Sequence, residues 1–71
     1  MDEVLKEWLG KKVNILMEEG CTEDGILKKY GKDYIMLSIK LYGKTYDHMY
    51  ARNKMIRINL IDWKIKIIII K

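Results

Sequence analysis

From Lys12 onward the apolar residues of this chain fall at every second position. That period belongs to half-buried antiparallel strands, and it excludes a helical body. In "KVNILMEE", Val13, Ile15 and Met17 share one face of a first strand, and Gly20 punctuates its end. "CTEDGILKKY" continues as a second strand with Gly25 inside it. "KDYIMLSIKL" is a third, setting Ile35, Leu37, Ile39 and Leu41 opposite Tyr34, Met36, Ser38 and Lys40. A turn at Gly43 leads into "KTYDHMYAR" as the fourth strand and "KMIRINLI" as the fifth. The final "DWKIKIIII" continues the fifth strand or forms a sixth.

Gly25 decides how these strands are arranged. A glycine inside a strand marks a bulge or sharp bend where a sheet curls on itself. Five short antiparallel strands with such a bend predict a small, strongly curved barrel. The segment before them differs in period. In "DEVLKEWLGKK", Val4, Leu5, Trp8 and Leu9 form one apolar stripe at helical spacing, Asp2 and Glu3 occupy the first turn, and Gly10 ends the helix. The expected fold is mainly β: one domain over residues 1–71, with a short helix over 1–10 covering the open end of a barrel built from 11–71.

The chain has 71 residues, and a core this small is commonly reinforced by disulfides, a metal or oligomerisation. Cys21 is the single cysteine and His48 the single histidine, so neither an internal disulfide nor a Cys/His metal site is expected. Oligomerisation remains. The net charge of +4 favours polyanionic partners. No apolar leader follows Asp2 and Glu3, and "IIII" at residues 67–70 is too short to span a bilayer, so a cytoplasmic protein without a membrane partner is expected. No nucleophile–base set, phosphate loop or metal spacing is present, which predicts a non-enzymatic protein without a cofactor.

The order of elements resembles the Sm-like family, and within it the Hfq branch of RNA chaperones. The resemblance is carried by "VNILMEEG" (first strand and turn glycine), Gly25 (bend glycine), "ILKKY", "DYIML" (aromatic followed by apolar residues) and "YARNKMIRINLI" (fourth strand, tight loop, fifth strand). Three positions depart from it. Lys32 stands where Hfq has an acidic residue, the run before the fifth strand lacks histidine, and Leu37 replaces the asparagine of the ordinary Sm signature.

The resemblance implies a strongly bent Sm-like (SH3-like) barrel assembled into a homo-oligomeric ring of six. It also implies binding of short uridine-rich single-stranded RNA, which promotes RNA–RNA pairing. Carried over by residue, Tyr34 is a base-stacking platform, Arg52 and Lys54 contact phosphate, and Asn53 reads a base edge, with Tyr50 beside the loop as a further RNA-binding residue. Such sites need aromatic faces and cations together. The alternatives are a small-barrel protein–protein assembly module and an archaeal-type Sm heptamer. In a ring, the edges around Tyr46, His48 and Tyr50 and along "MIRINLI" would pair between subunits. Ile67 and Ile69 of the tail are expected to be buried, on the barrel or across the subunit interface, because an exposed isoleucine run invites aggregation.

Overall fold

The computed structural model describes residues 2–61 and 67–70, with only the backbone of Ile67. Its elements follow the expected order: α1 (Asp2–Trp8), β1 (Lys12–Met17), β2 (Thr22–Tyr30), β3 (Tyr34–Leu41), β4 (Lys44–Ala51), a 3-10 turn (Arg52–Lys54), β5 (Met55–Leu60) and β6 (Ile67–Ile69).

Helix α1 buries Leu5 and Trp8, which lie three residues apart on one face. Val4 is half-buried against them, but Leu9 leaves the expected stripe and stands exposed. The helix has already ended there: Gly10 adopts φ +81°, a left-handed conformation that glycine takes without strain. The Gly10 N–H donates to the Leu27 carbonyl at 2.8 Å, and the Leu27 N–H donates to the Lys11 carbonyl at 2.9 Å. The helix exit is thereby fastened to β2.

The strands form one antiparallel sheet in the order β4-β3-β2-β1-β5-β6. The first four make a meander, and β5 returns to the free side of β1. Alternation places Val13, Ile15 and Met17 of β1 and Ile35, Leu37 and Ile39 of β3 in the core, with Leu27, Met55, Ile58 and Leu60. Leu41, expected on that face, is exposed beside the hairpin tip. That tip is a two-residue turn with positive φ at Tyr42 and Gly43, the geometry that matches strand twist in a tight hairpin.

The bend lies where Gly25 predicts it. Residues 22–26 of β2 pair with β1, whereas the ladder to β3 runs from Ile26 to Tyr30. The strand therefore changes partners at Ile26, directly after the glycine. A Cβ there would lie 3.0 Å from the Ser38 carbonyl oxygen and 3.1 Å from both Leu37 Cβ and Ile39 Cγ1. Only a residue without a side chain lets β3 approach this corner so closely.

One expectation is corrected at the sheet's far side. The sheet has six strands, not five, because β6 pairs with β5 through Arg57–Ile69, Ile58–Ile68 and Asn59–Ile67. This pairing covers the β5 edge that the ring expectation reserved for a neighbouring subunit. It also sets the phase of the tail. Ile58 faces the core, so its partner Ile68 does too, and Ile68 and Ile70 pack against the core cluster. Ile69 pairs with Arg57 on the outer face and is 69% exposed. The side chain of Ile67 lies outside the described residues. No helix among the described residues is long and apolar enough to cross a membrane.

Candidate nucleic-acid interface

Three segments distant in sequence meet at Arg52. In the turn between β2 and β3, the Gly31 N–H donates to the Tyr34 carbonyl at 2.9 Å. The Arg52 N–H donates to the Asp33 carbonyl at 2.9 Å, which ties the 3-10 turn to that same loop. The Arg52 guanidinium then divides its nitrogens: Nη1 donates to the Gly31 carbonyl at 2.7 Å, and Nη2 lies 2.9 Å from the Asp2 carboxylate. The Tyr30 hydroxyl reaches the Asp2 carbonyl at 3.4 Å. The start of α1, the β2–β3 turn and the 3-10 turn are thus joined through one arginine, whose planar fork suits two partners at once.

Beside this junction lies a shallow cleft of 480 Å³, lined by Lys32, Asp33, Ala51, Arg52 and Asn53. Tyr34, next in sequence to the lining residue Asp33, begins β3, half-exposed and paired with Ala51. Its ring lies directly on Gly31: a Cβ at Gly31 would fall 2.7 Å from Cδ1 and 2.9 Å from Cζ of the tyrosine. Asn53 and Lys54 are exposed on the 3-10 turn, and the Lys54 carbonyl accepts from the Glu18 N–H at 2.8 Å.

The structure separates Tyr50 from this group. Tyr34 pairs with Ala51 and Ile35 with Tyr50, and consecutive pairs point to opposite faces of a sheet. Ile35 is buried, so Tyr50 shares the core face, half-buried against the core cluster. Its ring stacks on His48 at a centroid distance of 6.3 Å and an interplanar angle of 22°. Burial pushes its hydroxyl above the ordinary tyrosine value, and the Glu23 carboxylate adds to the shift. Of the residues expected to act together, Tyr34, Arg52, Asn53 and Lys54 gather around one end of the sheet, and Tyr50 lies across it.

Arg52 also differs from a free phosphate contact, because both terminal nitrogens hold partners within the chain. Sequence reading missed Gly31 as the bed for an aromatic ring, Lys32 as a lining cation and Asp2 as the partner of Arg52. A glycine three residues before an aromatic, in a turn between strands, signals the first. Nothing local to Asp2 or Arg52 signals their contact.

A second groove, of 560 Å³, lies at the Gly25 corner. Glu23 and Asp24 line it together with Lys12 and Lys40, a mixed lining with no bias toward phosphate. Comparison with protein-family models, curated proteins and solved structures finds no match for this chain.

At the Arg52 end, a half-exposed aromatic face, an amide able to donate and accept, and two lysines within a few residues suit a single nucleotide strand.

Proposed function

We propose that this chain is a cytoplasmic, Hfq-like RNA-binding protein that holds short uridine-rich single strands without chemical turnover. The observation that carries the reading is the group at the 3-10 turn. Tyr34 offers a ring face held on Gly31, Asn53 offers an amide, and Lys32 and Lys54 stand exposed beside them. A base stacked on Tyr34 contributes about 1–3 kcal/mol. In a homo-oligomeric ring, preferably a hexamer, repeated copies of this group raise the local concentration of two RNA strands and favour their pairing. With β5 already edged by β6, ring closure would use β4 of one subunit and β6 of the next.

The experiment is titration of fluorescently labelled hexa-uridine at two salt concentrations, with native mass spectrometry of the same sample. Saturable binding that weakens steeply with salt, by a closed ring, is the expected result. A seven-subunit mass would point to the archaeal-type Sm arrangement instead.

One observation favours a second reading, a protein–protein assembly module. Among the described residues β4 is an edge strand of the sheet, exposed from Lys44 to Met49, with Tyr46 and Met49 among the exposed apolar residues. Oligomerisation without any oligonucleotide binding would favour that reading.

A further inference from the structure

The Arg52–Asp2 contact is placed at the rim of the candidate RNA cleft. The Arg52 side chain is 17% exposed and the Asp2 side chain 65% exposed. The two partners of the guanidinium are therefore unequal. The Gly31 carbonyl belongs to a turn fixed by backbone bonds at both Gly31 and Asp33, so it holds Nη1 in place. The Asp2 carboxylate sits in the first turn of a seven-residue helix and faces water. An ion pair whose carboxylate faces water is open to exchange on that side.

Charge points the same way. The cleft lining carries Lys32 and Arg52 against Asp33, a net charge of +1. With Asp2 on Arg52 the group is neutral; without it, the cleft regains its positive charge. A carboxylate and a phosphate oxygen present the same acceptor chemistry to a guanidinium nitrogen.

We propose that Asp2 is an intramolecular occupant of a phosphate subsite formed by Arg52 and Lys32, and that an incoming RNA phosphate exchanges with it on Nη2. The inference rests on the RNA reading above. It makes the helix start a competitor that sets the affinity of the cleft. The rest of α1 stays packed through Leu5 and Trp8, so the exchange needs movement of the first turn alone.

The test compares parent, Asp2→Asn and Glu3→Gln by hexa-uridine titration over a range of salt, with thermal melting of each. Both substitutions remove one negative charge from the exposed first turn, but Asp2 alone pairs with Arg52. The expected result is that D2N binds about two- to fivefold tighter than the parent, the fold-change equivalent to a weak ion pair with one water-facing partner. Its salt dependence steepens by about 0.7 in slope, one further phosphate neutralised. Glu3→Gln gives clearly less. Equal gains from D2N and E3Q would reduce the effect to net charge and overturn the inference while leaving the RNA reading intact. No binding by any of the three would overturn both.

Discussion

The ring of Tyr34 covers Gly31 so closely that no side chain fits between them. The glycine is required for space there, since its backbone does not adopt the left-handed conformation found at Gly10, Gly20 and Gly43. Gly31→Ala is expected to swing the half-exposed ring off its bed, at a cost in stability below that of overpacking a core, about 1 kcal/mol or less. Urea denaturation reads that loss. Hexa-uridine affinity should fall with it, and it should fall similarly for Tyr34→Ala, whose half-exposed ring leaves the core intact. Undiminished binding by both variants would remove Tyr34 from the site.

Neighbouring residues of the 3-10 turn should respond differently. Arg52→Ala deprives the Gly31 carbonyl and Asp2 of their partner, so melting should drop by the equivalent of about 1–3 kcal/mol. Lys54 is exposed, and Lys54→Ala should melt like the parent. Its effect should be on RNA alone: weaker binding to any sequence, with a salt slope shallower by about 0.7. Calorimetry beside a salt titration separates the two; a large melting loss for Lys54→Ala would contradict its placement.

Tyr50 gives the fold an alkaline limit. Its folded-state pKa is raised above 10.0, by burial first and Glu23 second. Below the ordinary value the phenol is neutral in both states and its contribution is fully present. As pH rises through 10.0 toward the folded value, the unfolded chain ionises first and stability is lost. Tyr50→Phe should therefore flatten the decline of melting temperature above pH 10. An unchanged alkaline limb would mean that the hydroxyl ionises as freely in the fold as in solution.

The tail offers a test of strand phase. Ile68 faces the core beside Ile58, and Ile69 faces outward beside Arg57. Ile68→Lys should cost about 2–3 kcal/mol through lost apolar burial and a poorly solvated cation. Ile69→Lys should leave the melting of the single chain nearly unchanged. If Ile69→Lys instead dissociates an oligomer seen by native mass spectrometry, that isoleucine is covered by a neighbouring subunit. Equal melting for both variants would overturn the register.

The core was legible because its signal is local. Val13, Ile15, Met17, Ile35, Leu37 and Ile39 announce their face by alternation, and all are buried. Gly25 announced the bend by standing in a strand that continues beyond it. The facing of Tyr50 and of Ile69 was not legible for a shared reason: it depends on register with another strand. "KTYDHMYA" carries apolar residues on both faces, and four consecutive isoleucines carry no phase at all. The Arg52 junction was out of reach for a different reason. It joins residues 2, 31 and 52, and no periodicity spans such separations.

Because β2 is the common member of both halves of the sheet, neither half can come apart while the other stays whole. Opening the ladder to β1 or the ladder to β3 disturbs the same backbone at Ile26, where the two overlap. The meander makes every pairing short-range except the return of β5 to β1, so that return is the entropically costly closure. The molecule should behave as a single cooperative unit, its slowest-exchanging amides around Ile26 and Leu27 and its earliest fraying at β6.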